Sequence, residues 1–320
     1  MTRVAAVDCG TNSIRLLVAD VDPVAGTLVD VDRRMEIVRL GQGVDATGRI
    51  SVDAMERTLA TTRFYGALVE QYGATAVRFV ATSATRDASN QDDFADGVRA
   101  LLGVEPEIVT GDEEARLSFT GATRGLVGHD GPFLVVDIGG GSTEVVLGTA
   151  GDVEAARSVD VGCVRLTERF GFDDPPTTGQ VVAAREAVDA ALDLAAADVP
   201  LGRARTLVGL AGSVTTVTAH ALRLPSYDSG RIHGTTLPVE TVRHACDDLL
   251  RMSRAGRAAL PFMHPGRVDV IGAGALVWRR VVDRVAAATA DGDHPLEVAV
   301  TSEHDILDGI AWALAAPAAP

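Results

Sequence analysis

A duplicated α/β fold is what this sequence predicts, and three observations predict it. One pattern occurs twice: "VAAVDCGTNSIRLLVAD" (4–20) and "LVVDIGGGSTEVVLGTA" (134–150) stand 129 residues apart, so Asp8 falls on Asp137, Gly10 on Gly139, Ser13 on Ser142 and Arg15 on Glu144. Strand-like and helix-like segments alternate through the rest of the chain, the signature of helices packed on a largely parallel sheet. The length, 320 residues, suits two domains rather than one.

Each repeat reads as a strand, a small polar tip and a second strand, a β-hairpin with apolar flanks. A hairpin tip made of Gly, Ser, Thr and Asn is also ordinary turn chemistry. An Asp two residues ahead of the first Gly in both copies is harder to ascribe to turns alone. Successive turn amides form a concave nest suited to an anion, and glycine lets phosphate oxygens approach closely. Both hairpin tips are expected to face one cleft.

The intervening segments follow in order. "RRMEIVRLGQGV" (33–44) reads as a strand ending in a glycine loop, and 51–73 as a helix capped by Ser51 and closed by Gly73. "AVRFVATSATR" (76–86) is a strand entering a Ser/Thr turn, 90–103 a helix closing at Gly103, and "PEIVTG" (106–111) a short strand. "DEEARLSFTGATRGL" (112–126) is a helix with acids in its first turn, where they offset the dipole. After the second hairpin, 180–199 is an Ala-rich helix, and "RTLVGLAGS" (205–213) holds a buried strand ending at Gly212, with Ser213 capping a helix over 214–222. "RVDVIGAGALVWRRVVDRVAA" (267–287) predicts strand, glycine turn and helix, and 296–316 a last strand and helix, with a frayed tail at 316–320. The C-terminal helix is expected to pack back on the first domain. The expected domains are therefore 1–124 with 301–320, and 125–300.

Composition narrows the chemistry. All 29 basic residues are Arg, which excludes a P-loop lysine and any lysine base or Schiff base. The three cysteines, Cys9, Cys163 and Cys246, are isolated, which suits a reducing cytoplasm and not a zinc site. A formal net charge of -15 disfavours nucleic acid and acidic membrane surfaces as partners. No apolar run approaches the roughly 20 residues of a bilayer span, and the strand pattern opening at Val4 leaves no signal peptide visible.

In this order "DCGTNSIRLLVAD", "ATSATR", "GDEEARL", "DIGGGSTE", "GLAGSVTT" and "HPGRVDVIGAGA" resemble the exopolyphosphatase and guanosine pentaphosphate phosphohydrolase family. That family lies within the actin-like phosphotransferase superfold. The resemblance covers nearly the whole chain and is to the short, two-domain branch. It implies two actin-like (ribonuclease H-like) domains with an interdomain cleft. It implies release of terminal orthophosphate from inorganic polyphosphate with water as nucleophile and Mg²⁺ as cofactor. The alternatives are hydrolysis of guanosine pentaphosphate at its 5′-phosphate, a non-catalytic nucleotide- or phosphate-sensing module, and an actin-like kinase.

The resemblance makes Glu114 the carboxylate that orients and deprotonates the attacking water, with Glu113 as fallback; otherwise both acids simply serve the helix dipole. Gly10, Thr11, Asn12 and Ser13, and Gly139, Gly140, Gly141 and Ser142, would cradle phosphate. Arg86 would add a bidentate contact, or lie in a capped turn. Asp137 and Glu144, and less directly Asp8, would hold Mg²⁺ mainly through water, because a bare carboxylate beside phosphate repels it; the plainer reading is a solvated hairpin rim. Gly209, Gly212 and Ser213 would place a helix N-terminus at a nucleotide or distal phosphate. Arg15 reads equally as a ligand contact or an interdomain salt bridge. Arg267 and Asp269 read better as loop anchors, His233 as a loop histidine and Cys163 as a buried thiol. The net acidity favours short polyphosphate chains, and a homodimer would be one way to lengthen a short cleft.

Overall fold

Strands rich in Val, Ile and Leu, apolar at almost every position, bury both faces, and the first repeat does so: Thr2–Cys9 (β1) is buried from Val4 onward and pairs antiparallel with Ser13–Asp22 (β2), from Thr2↔Val21 to Cys9↔Ile14. The second repeat folds alike, Phe133–Ile138 (the sixth strand, β6) against Thr143–Thr149 (β7). The computed structural model describes residues 1–126, 128–149 and 152–315, so the tail at 316–320 lies outside the described residues.

The chain divides into two units, Met1–Gly121 joined by the stretch from Ile306 onward, and Ala122–Asp305. In the first, the other strands are Thr27–Ile37 (β3), Ala76–Ala81 (β4) and Glu107–Ile108 (β5), and the sheet order is β3-β2-β1-β4-β5. β2 and β3 run antiparallel, while β4 lies parallel to β1 and β5 parallel to β4. In the second, Asp152–Val159 (β8), Thr206–Leu210 (β9), Thr236–Pro238 (β10) and Val298–Thr301 (β11) complete a sheet of order β10-β11-β9-β6-β7-β8. Traversed from β8 it reads β8-β7-β6-β9-β11, with the same senses as the first sheet, plus one antiparallel edge strand, β10. The repeat is thus a duplicated α/β topology of actin-like type, each hairpin extended by parallel strands.

Period-two alternation splits the core of the first unit. Ala5, Val7, Cys9, Ile14, Leu16 and Val18 face Tyr65, Leu68 and Phe94 on the helices Val52–Tyr72 and Gln91–Leu102. Val4, Ala6, Leu17, Ala19 and Val21 face Leu117 on the helix Gly111–Arg124 and Ile310 and Trp312 on Ile306–Ala315. The last two helices touch at Gly309, where a Cβ would stand 2.0 Å from the carbonyl oxygen of Leu117. Backbone cannot yield as a side-chain tip can. Gly309→Ala is expected to destabilise the fold by about 2–3 kcal/mol, read as a lower urea midpoint at unchanged slope.

Three local expectations are corrected. Residues 268–270 form no strand: Pro265–Arg267 is a single 3₁₀ turn, Arg267 N–H donates to His264 O and Val270 N–H to Arg267 O, and the helix Ile271–Thr289 follows at once. Those local bonds consume the donors a ladder would need. Ser213 is not a cap either, and Gly212 does not end a strand. β9 stops at Leu210, the helix Ala211–Ala221 begins with Ala211 at φ 63, and Ser213 lies inside its first turn. The Ser/Thr turn of the 76–86 segment is one helical turn, Ser83–Arg86, and the Thr82 side chain does not cap it.

Candidate active site

The two hairpin tips are closed by the same bond. The Gly10 amide donates to Ser13 O at 2.9 Å, and the Gly139 amide to Ser142 O at 3.1 Å. The carbonyls behind each tip are turned inward. Gly41 N–H donates to Thr11 O at 2.8 Å, and Val38 and Arg39 donate to Asn12 O. In the second copy Cys163 N–H donates to Gly139 O, Val164 and Arg165 donate to Gly140 O, and the Arg165 guanidinium to Gly141 O at 2.8 Å. With those oxygens fixed on that side, the amides of Asn12, Gly140 and Gly141, which share their trans peptides, face the other way, and neither they nor the Thr11 amide donate to an acceptor among the described residues. Clustered outward amides make a nest for an oxyanion.

None of Gly10, Gly139, Gly140 and Gly141 lies in the left-handed region, so these glycines are not required by turn conformation. The glycines under steric demand are others, which sequence reasoning missed. A Cβ on Gly162 would meet Gly140 O at 2.5 Å and Gly141 N at 2.7 Å, and one on Gly41 would meet Thr11 Cγ2 at 2.3 Å. Each tip is therefore backed by a glycine a few residues beyond the third strand of its own sheet. The signal was available, a Gly at the matching place in both copies ("RLGQG" and "VDVGCV").

Glu114 and Glu113 part company on the helix Gly111–Arg124. Glu114 is 8% exposed, and its Oε2 accepts from Arg86 Nη1 at 3.3 Å. The same Arg86 nitrogen donates to Val109 O at 2.8 Å, which ties the guanidinium between the approach to the helix and its carboxylate. Glu113 instead turns toward the Arg78–Glu107 pair, 3.5 Å from Arg78 Nη2, on a half-exposed surface. The Thr11 and Ser83 hydroxyls meet at 2.9 Å in the interior, so the first tip is also pinned to the turn that carries Arg86.

The duplicated carboxylates differ in company. Asp8 faces Arg15 across β1–β2, and its Oδ2 accepts Arg15 Nε at 2.9 Å and Nη2 at 2.7 Å. Arg15 is thus bound within its own hairpin. At the matching place Asp137 faces Glu144, 7% and 1% exposed, with the Ser158 hydroxyl donating to Glu144 Oε1 at 2.7 Å. Two buried carboxylates directly opposite on adjacent strands repel. Such a pair fits a hard cation that keeps most of its water and takes one or two protein carboxylates. No group of three His, Cys, Asp or Glu side chains suited to a metal occurs among the described residues.

The remaining candidates have defined surroundings. Gly209 makes room for Trp278, whose ring a Cβ would meet at 2.7 Å, which is a packing role. Gly212 makes room for Arg267, whose guanidinium carbon would lie 2.6 Å from a Cβ there. Arg267 reaches Thr216 Oγ1 at 3.4 Å and lies 5.9 Å from the centre of the Tyr227 ring, so it borders the start of the Ala211–Ala221 helix rather than merely tying a loop. Asp269 is an anchor, paired with Arg254 at 2.6 Å. His233 Nδ1 accepts the Glu303 amide, and its ring lies 4.3 Å from that of His304. Burial pushes the Cys163 thiol above its ordinary pKa, a hydrogen bond with Ser213 opposing in part, so it stays protonated and inert near pH 7.

The chain has clear likenesses to known proteins. A family model described as the Ppx/GppA phosphatase family matches residues 17–289. The chain is 49% identical over 322 residues to Exopolyphosphatase 2 of Mycobacterium tuberculosis, covering 98% of this chain and 99% of that protein. It is 31% identical over 292 residues to the bifunctional 3-dehydroquinate synthase/phosphatase of Fusobacterium nucleatum, covering 87% of this chain and 43% of that one. Among solved structures, an exopolyphosphatase-like protein superposes with a TM-score of 0.93 at 43% identity over 98% of this chain and 99% of that one. The Aquifex aeolicus Ppx/GppA family member superposes at 0.80 and 29%, over 98% and 97%.

Proposed function

The chain belongs to the Ppx/GppA phosphatase family, and from that premise we propose that it releases terminal orthophosphate from inorganic polyphosphate. Family membership makes it a phosphoanhydride hydrolase and sets aside the kinase and the non-catalytic readings. One observation carries the proposal: the same nest of outward amides is built twice, in a chain whose buried Glu114 is held by Arg86. In the proposed reaction the amides of Thr11, Asn12, Gly140 and Gly141 bind phosphoryl oxygens, and the Ser13 and Ser142 hydroxyls assist. Glu114 accepts the proton of the attacking water, and Arg86 fixes the carboxylate so that the lone pair is aimed. Glu113, spent on Arg78, takes no part.

Asp137 and Glu144 would hold the divalent cation, Mg²⁺ by the hardness of its donors, which supplies neutralising charge to the phosphate oxygens. Asp8, already offset by Arg15, is a secondary candidate for it. The formal charge of -15 supports short chains as substrate, since a long polyanion is drawn to a basic surface. The three cysteines are free and buried, which supports a reducing, cytoplasmic setting, and no helix among the described residues is long and apolar enough to cross a membrane. Guanosine pentaphosphate remains a second reading for one reason: Tyr227, 39% exposed beside Arg267, offers a flat face to a nucleoside base.

Phosphate release from short polyphosphate, long polyphosphate, guanosine pentaphosphate and ATP, with and without Mg²⁺, tests the proposal. Metal-dependent release, fastest from short polyphosphate, is expected. Faster release from guanosine pentaphosphate would overturn the first reading in favour of the second.

A further inference from the structure

Buried guanidinium groups are normally met by acceptors on most of their donors. Arg257, on the short helix Arg254–Ala258, is not. The residue is 5% exposed, and its Nε has no hydrogen-bond partner. The one carboxylate within 4 Å among the described residues is Asp174, 3.9 Å from an Arg257 Nη, beyond hydrogen-bond reach. Asp174 is engaged elsewhere, since its Oδ1 accepts the Arg254 amide, and Asp269 is taken by the Arg254 side chain. By contrast, Arg280 on the next long helix is gripped by both oxygens of Asp189.

Arg257 Nη1 packs against the first turn of a helix. A Cβ on Gly272 would stand 2.9 Å from Arg257 Nη1, so the guanidinium lies against the first turn of the Ile271–Thr289 helix. That helix is 19 residues long and has no side-chain cap, and Gly274 N–H donates to Val270 O to begin its ladder. The amides of Ile271, Gly272 and Ala273 therefore stand ahead of the ladder, at the positive end of the dipole. A guanidinium held beside a helix N-terminus in a buried place is repelled by it, and an anion in contact with both would offset that repulsion. Burial also draws the guanidinium pKa below its ordinary value, and the nearby Asp174 and Asp269 oppose that only in part.

This place is distinct from the amide nests. Gly274, two residues further on, faces Ser213 and Cys163, behind the second nest. Two residues turn a helix by roughly 200°, which puts Gly272 and Arg257 on the opposite side.

We propose that Arg257 and the first turn of the Ile271–Thr289 helix form a binding site for a small tetrahedral oxyanion of the phosphoryl class. The ion is either orthophosphate or the terminal phosphoryl group of a larger molecule. The guanidinium supplies a bidentate fork, the helix supplies amides, and Gly272 supplies the close approach. The assignment does not rest on the proposed activity.

Equilibrium dialysis of the full chain against labelled orthophosphate tests it, with Arg257→Met, Arg257→Lys and Gly272→Ala beside the unaltered protein. At saturation the unaltered chain is expected to hold one more phosphate than Arg257→Met, and Arg257→Lys to hold it about tenfold more weakly. Phosphate is also expected to raise the melting temperature of the unaltered chain more than that of Arg257→Met. Should Arg257→Met fail to fold, Gly272→Ala, which displaces the guanidinium, carries the same expectation. Displacement of the Arg257-dependent phosphate by AMP would make the ligand the phosphoryl end of a larger molecule; no displacement would make it orthophosphate. Equal phosphate number and affinity in the unaltered chain and a folded variant would overturn the proposal.

Discussion

Glu114→Gln is expected to lower kcat for phosphate release by about 10²–10⁴-fold, with KM changed little. The substitution keeps the shape and the contact with Arg86 but removes the site that accepts a proton. Glu114 sits on the first turn of a rigid helix, 8% exposed, with Arg86 Nη1 bonded both to it and to Val109 O, so the geometry should survive the change. Glu113→Gln is the internal control, since Glu113 faces Arg78 at the surface, and its kcat should stay within about twofold. Steady-state kinetics on short polyphosphate decides. A Glu114→Gln chain retaining most of its kcat would remove the base from the scheme, and a matching loss in Glu113→Gln would mean that the two acids had been assigned the wrong way round.

Gly162→Ala is expected to do comparable harm by a different route. The added methyl carbon would lie 2.5 Å from Gly140 O and 2.7 Å from Gly141 N, both backbone atoms of the second nest. Relief requires that loop to move, and the bonds from Cys163, Val164 and Arg165 to its carbonyls then shift with it. The expected cost is about 1–3 kcal/mol of stability. Activity should fall further than stability explains, by about 10²-fold, because a misplacement of about 1 Å at a binding nest has that effect. The informative comparison is kcat/KM at a temperature where a melt shows the variant still folded. Activity close to that of the unaltered chain would mean that the second nest does not touch substrate.

The fold was legible where one short pattern dominates. The two hairpins, the helices 51–73 and 90–103 with their Gly73 and Gly103 ends, and the acidic start of 111–124 all follow local rules and stand where those rules put them. The 267–270 strand failed because "RVDVIG" alternates like a strand while a Pro265-Gly266 turn and a following helix claim its amides. Sequence reasoning also passed over the helix Val239–Arg251, although Val242, Cys246 and Leu249 recur at helical spacing and are buried. At the site, glycine type was legible and glycine purpose was not. Gly41 and Gly162 are required by chain segments that approach from elsewhere, and no window of sequence contains both partners of such a contact. The same holds for Arg86, whose hold on Glu114 spans 28 residues.

The Asp8–Arg15 and Asp137–Glu144 pairs hold the matching place in two copies of one topology and differ in charge, the first a neutral ion pair and the second doubly negative. Arginine in one copy against glutamate in the other would divide the labour between the two halves. With the cation at Asp137–Glu144 as proposed, one nest recognises oxyanions unaided, while the other does so only when metal is present. A metal-starved chain would then be half-competent rather than inert: able to grip its substrate and unable to turn it over.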